Sequence, residues 1–275
     1  MHWIEQGPGV DAAAVVLIHG LGGDAQFWGV EQTALARHYR VLAVDLRGSG
    51  WSPGTLEAFS IEDLARDVEC MLDEAGISSA HVIGFSMGGV VAQALAVASP
   101  HRIKRLVLAA TFAIVYPQAR LFLEAIGSVY RDGISARQLY ELVLPWLFSV
   151  AFLDDSRSAP YLAYPDEQGE EQSRDDWLSL LAALLAFDGR ARLGAIRTHP
   201  DHQRRRRLSR ATGRCRGTGP WHPRVRAEDR RGRASHERRI AGRVHRADRT
   251  ISLAAPAACP RLACLTPVIL LRAKP

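Results

Sequence analysis

A serine between two glycines, in Gly84-Phe85-Ser86-Met87-Gly88, joins the apolar run Ala80-His81-Val82-Ile83 to a small-residue stretch, Val90 to Ala96. This junction constrains the fold more than any other segment. A strand that turns directly into a helix forces its corner residue into a strained backbone geometry, and the flanking glycines remove the Cβ atoms that would clash there. The serine hydroxyl is then held out over the end of a sheet. The helix that follows aims its first N–H groups and the positive end of its dipole at the same point.

Two further segments have the same build. Val15-Val16-Leu17-Ile18 runs into His19-Gly20-Leu21-Gly22-Gly23, and Val41-Leu42-Ala43-Val44 runs into Asp45-Leu46-Arg47-Gly48-Ser49-Gly50-Trp51-Ser52. Each apolar run is short and bounded by turn residues, as in a buried strand. Helical periodicity over 31–38, 60–75 and 87–98 alternates with these runs, and Arg105 to Ala110 reads as one more strand. Ser60 and Asp63 make a near match to a capping box, Gly76 closes that helix, and Leu64, Val68, Met71 and Leu72 share its inner face. Strands alternating with helices at this spacing predict an α/β fold, a doubly wound and mostly parallel sheet.

In this order the three motifs resemble the α/β-hydrolase family, whose pattern runs H-G-x-G, then D-x-R-G-x-G-x-S, then G-x-S-x-G. The resemblance covers roughly residues 2–198. It implies a serine hydrolase with Ser86 as catalytic nucleophile and the N–H groups of Leu21 and Met87 as oxyanion hole. His19, Gly20, Asp45, Arg47, Gly84 and Gly88 are then motif and structural positions. The implied substrate is a small acyl compound such as an ester or lactone. The nearest likeness is to small carboxylesterases, enol-lactonases and aminoacrylate hydrolases. No metal and no organic cofactor is implied.

Residues 1–110 read as the core of this fold, 111–187 as a helical cap inserted after the strand at 105–110, and 188–198 as a return to the core. Phe27, Trp28, Phe85, Tyr116, Trp146, Phe148 and Phe152 are candidate pocket residues. No apolar run is long enough to cross a membrane and no signal peptide is legible, so a cytoplasmic protein is expected. Nothing in the sequence fixes an oligomeric state.

Beyond Thr198 the composition changes. Residues 1–198 hold 15 Lys and Arg against 24 Asp and Glu, net −9, whereas 199–275 hold 20 against 5, net +15. The stated net charge of +6 therefore comes wholly from an arginine-rich tail, which has Trp221 as its one aromatic residue. Between 199 and 250 large aliphatics are sparse and no period persists, so an irregular or disordered tail is expected. Its histidines and cysteines have no metal-ligand spacing, and with Cys70 the chain's four cysteines make no disulfide framework. An arm contacting nucleic-acid phosphates is disfavoured by the near absence of lysine and of aromatics for base stacking.

The preferred account is a shifted reading frame. Removing one nucleotide from codons 198–207 permits P-T-L-I-I-S-G-D-D-D, like the strand and turn that bear the family's catalytic acid. The same shift over 232–239 permits A-G-H-L-M-N-V-E, like the segment bearing its catalytic histidine. The family order is serine, acid, histidine, and in the frame as written the acid and base have no evident occupant. Thr111 stands where some relatives carry the acid, and Asp188, Asp201, His199, His202 and His236 lack the expected strand-end setting. A catalytically dead binding protein of the same fold is the alternative. Without its last strands, the run at 105–110 is expected to be an open sheet edge.

Overall fold

The computed structural model describes residues 1–164, 172–196 and 268–271. Among these residues six strands form one sheet: β1 (Trp3–Gln6), β2 (Ala14–Ile18), β3 (Arg40–Val44), β4 (Ala80–Phe85), β5 (Ile103–Ala109) and β6 (Val268–Leu271), in the order β1-β3-β2-β4-β5-β6. The four inner strands are parallel, and β1 and β6 run antiparallel along the two edges. This is the expected mostly parallel sheet.

Strand alternation assigns the apolar residues to two faces. Val16, Ile18, Leu42, Val44 and Val82 pack with α2 (Ile61–Glu74) and α3 (Met87–Ala98), while Val15, Leu17, Val41, Ala43 and Ile83 pack on the opposite face against Trp28. That second face is closed by a short 3-10 turn, Ala25–Trp28, and α1 (Gly29–Leu35). Every residue of β2 and β3 is buried, the signature of a sheet covered on both sides.

The second of these helices begins as the sequence predicts. Ser60 Oγ accepts from the Asp63 N–H at 3.2 Å, and Asp63 Oδ2 accepts from the Ser60 N–H at 2.9 Å. The hydrogen bonds from the Ser60 side chain and backbone, together with Arg66, hold the Asp63 carboxyl at about 2. Ile61, Leu64, Val68, Met71 and Leu72 form the buried face, and Gly76 ends the helix at φ 69°.

After β5 the chain builds α4 (Pro117–Arg131), α5 (Ala136–Leu147), α6 (Val150–Leu153), α7 (Ala159–Leu162) and α8 (Arg174–Ala186). The two ends of this helical stretch meet where Ile114 bridges Asp188 and the Gly189 N–H donates to the Ala113 carbonyl at 2.7 Å. Ile126 and Tyr130 of α4, Leu139 of α5, and Trp177 and Leu181 of α8 form the insertion's own apolar cluster. Leu21 touches both this cluster and the main core.

Two expectations are corrected. The strand near 105–110 is not an open edge, because Val268–Leu271 pairs with Leu106–Ala109. Four consecutive apolar residues, V-I-L-L, suffice to satisfy an exposed row of N–H and C=O groups, so these four tail residues are regular; the rest of 199–275 lies outside the described residues. The expectation that the four cysteines form no disulfide framework meets one exception, because Cys70 of α2 is disulfide-bonded; the other three cysteines lie outside the described residues. No helix among the described residues is long and apolar enough to cross a membrane.

Candidate active site

The corner between β4 and α3 is Ser86, at φ 51° and ψ −118°. A non-glycine residue in this region costs about 1–3 kcal/mol and persists only where its surroundings fix it. They do. The Ser86 N–H donates to the Ala109 carbonyl at the end of β5 (2.9 Å), and the flanking glycines allow backbone contacts that no side chain would permit. A Cβ on Gly84 would lie 2.4 Å from the Gly88 carbonyl oxygen, and one on Gly88 would lie 2.2 Å from the Ile18 oxygen and 2.4 Å from that of His19. The helix thus packs end-on against the tip of β2. Met87 is its first residue, so its N–H has no intrahelical partner.

The loop after β2 passes beside this corner. A Cβ on Gly20 would lie 3.2 Å from both the Phe85 ring and Ser86 Cβ. His19 underneath is fully buried and both ring nitrogens are occupied: Nε2 accepts from the Leu46 N–H at 3.0 Å, which leaves the proton on Nδ1 to donate to the Gly20 carbonyl at 2.7 Å. Burial lowers its pKa, outweighing the Gly20 bond and the nearby Asp45 and Asp24 charges. His19 is a neutral strut between two loops. Leu21 follows, and its N–H makes no backbone hydrogen bond among the described residues.

Asp45 organises the second loop. Its carboxylate accepts from the N–H of Ala25 (2.7 Å) and Trp51 (3.1 Å) and pairs with His2, while its carbonyl accepts from Ser52 Oγ at 2.7 Å. Burial pushes this carboxyl up, but the bonds from His2, Ala25 and Trp51 outweigh it and hold the pKa below its ordinary value. A carboxyl with a lowered folded-state pKa stabilises the protein above its unfolded pKa, and that stability is lost as the pH falls through the folded value. Asp45→Ala is therefore expected to cost about 3 kcal/mol at pH 7, because it orphans two backbone donors. Urea melts should show the gap between variant and parent closing at acid pH; a constant gap would contradict the assignment. Arg47 leaves the same loop as a bidentate partner of Asp67 (2.9 and 2.7 Å), packed over Phe59.

The aromatic candidates separate. Phe27 stacks on Phe85 at 5.0 Å, beside the corner. Trp28 is 1% exposed and packs with Val15, Leu17 and Val41 in the core. Tyr116 and Trp146 are half exposed, the latter stacked on Phe122, and Phe148 at the end of α5 stacks on Phe152 of α6. The side chain that does reach the glycine loop is Trp177 of α8: its Nε1 lies 3.1 Å from where a Cβ on Gly22 would be, and Tyr130 braces it edge-on. Gly22 stands at φ 74°, a left-handed conformation that glycine takes at no steric cost; the glycine itself is the one signal the sequence carries for this contact.

Among the described residues Ser86 Oγ has no hydrogen-bond partner, and Thr111 bonds the Ser86 carbonyl oxygen instead. Asp188 is exposed and doubly bonded to Arg190, which holds its carboxyl at about 2. Asp201, His199, His202 and His236 lie outside the described residues. No group of three His, Cys, Asp or Glu side chains that could hold a metal occurs among the described residues.

The sequence pattern of the alpha/beta hydrolase fold matches residues 13–140. A protein of Variovorax paradoxus named "Putative carbamate hydrolase RutD" is 35% identical over 206 residues, covering 71% of this chain and 74% of the relative. The chain belongs to the alpha/beta hydrolase fold family. It is an enzyme of that fold, and solved structures agree. The enol-lactonase of Burkholderia xenovorans LB400 superposes with a TM-score of 0.62 at 29% identity, covering 72% of this hydrolase and 74% of that chain. A hydrolase of Pseudomonas aeruginosa gives 0.61 at 30% identity, with 71% and 72% covered.

Proposed function

We propose that this hydrolase acts on a small ester, lactone or related acyl compound through Ser86. The observation that carries the proposal is the Ser86 backbone at φ 51°, ψ −118°, between a strand end and a helix start; on this reading the Met87 and Leu21 N–H groups are assigned to the oxyanion. The enol-lactonase and the RutD relative are named for substrates with one common feature, a carbonyl carbon bearing a heteroatom leaving group. Attack by Ser86 Oγ on such a carbon would form a tetrahedral oxyanion facing the two N–H groups. Collapse would expel the leaving group, and water would then release the acid. Phe85, Leu21 and Trp177 make the surroundings apolar, which favours an uncharged acyl chain.

A serine hydroxyl is a weak nucleophile until a base takes its proton. Two motif residues of the neighbouring loops are already engaged: His19 uses both ring nitrogens, and Asp45 holds its own loop. We therefore attribute the missing acid and base to the shifted frame that codons 198–207 and 232–239 permit. The chain as written then has a nucleophile and an oxyanion hole without their proton acceptor. The experiment compares p-nitrophenyl ester hydrolysis by the chain and its Ser86→Ala variant, in the frame as written and in the restored frame.

A further inference from the structure

Ser86 contributes its carbonyl as well as its side chain. That oxygen accepts from the N–H groups of Gly89 (2.9 Å) and Val90 (3.2 Å) in the first turn of α3, and from the Thr111 hydroxyl at 2.7 Å. The last bond is the shortest, and it comes from outside the helix, from the loop that leaves β5. Gly89 permits it. A Cβ there would lie 2.6 Å from Thr111 Cβ and 2.7 Å from its Oγ1, so the third glycine of G-x-S-x-G-G makes room for Thr111.

A trans peptide is planar, so the Ser86 C=O and the Met87 N–H point in opposite directions within one plane. Whatever fixes the oxygen also aims the N–H. A donor on the carbonyl oxygen further polarises the peptide and strengthens its N–H as a donor. We propose that Thr111 is a positioning residue for the oxyanion hole, locking the Ser86–Met87 peptide through its hydroxyl so that the Met87 N–H faces the developing negative charge. This rests on the reading of Ser86 as nucleophile.

The sequence supplies a selective test. Ser86-Met87 is the one Ser-Met pair in the chain, so combined ¹³C-carbonyl serine and ¹⁵N-methionine labelling isolates this peptide, and Met71 supplies a control amide in α2. In the full chain, Thr111→Val should move the Ser86 carbonyl resonance upfield and shift the Met87 amide while Met71 stays in place; Thr111→Ser should restore both. In the restored-frame chain, where a base can take the serine proton, reaction with a fluorophosphonate, in which the Ser86 Oγ–P bond forms, the P–F bond breaks, fluoride leaves and the proton passes through that base to buffer, is read by mass spectrometry. Its rate should fall about tenfold in Thr111→Val, less than for outright loss of an oxyanion donor, and recover in Thr111→Ser.

Unchanged Ser86 and Met87 resonances in Thr111→Val would overturn the proposal, as would shifted resonances with an unchanged labelling rate. If Thr111→Val does not fold, failure of Thr111→Ser to retain the parental resonances and labelling rate overturns it equally. Shifted resonances together with a restored-frame chain that never labels at Ser86 would support the lock while removing Ser86 as nucleophile, so the two readings fail separately.

Discussion

Restoring the alternative frame from codon 198 onward is expected to raise kcat/KM for p-nitrophenyl acetate by about 10³-fold or more over the chain as written, and Ser86→Ala should abolish that gain. The magnitude follows from how triads behave. Removing any one member leaves roughly 10³–10⁴-fold catalysis over water, supplied by the oxyanion hole and binding, and the remaining members then contribute little. A chain with the serine but no base sits at that residual level. Supplying an imidazole and its carboxylate partner together should release the rest. A restored chain no faster than the original would remove the frame-shift account.

Gly88→Ala is expected to destabilise the fold by about 3 kcal/mol or more, the upper end of what overpacking costs. The added methyl would sit 2.2 Å from the Ile18 carbonyl oxygen and 2.4 Å from that of His19. Both are backbone atoms of the most buried strand and its turn, so neither can swing aside as a flexible side chain would. Two other glycines set the scale. Gly76 has open space but φ 69°, so its alanine variant should cost about 1 kcal/mol through backbone strain alone. Gly29 has open space and an ordinary φ of −47°, so alanine there should be neutral or slightly stabilising. Urea unfolding followed by the six tryptophans ranks the three; Gly88→Ala falling within 1 kcal/mol of the parent would contradict the end-on packing of α3 against β2.

The legible parts of the molecule are those whose cause is local. The strand into α3, the two glycine loops and the Ser60–Asp63 cap are each written within a few consecutive residues, because turn geometry and capping depend on near neighbours. The inner face of α2 follows from its own period. Contacts across long stretches of chain are not written that way. Trp177 reaches Gly22 only once the helices between it and β5 have been placed, so its position over the glycine loop is invisible in its own segment, whereas Trp28, five residues after Gly23, packs into the core against the sheet. Thr111 stands where some relatives carry the acid and is not one; its hydroxyl donates to the Ser86 carbonyl, a bond between residues 25 apart. The pairing of β6 with β5 was likewise hidden, since four apolar residues near the end of the chain carry no sign of which edge they will meet.

On the function proposed above, Ser86 is a prepared nucleophile whose proton acceptor is not encoded in the frame as written. Steady-state hydrolysis of p-nitrophenyl acetate by the purified 275-residue chain, set beside its Ser86→Ala variant, tests it most directly. The predicted result is two indistinguishable rates, because without a base the serine adds nothing to the residual catalysis. Clear Ser86-dependent turnover by the chain as written would contradict it.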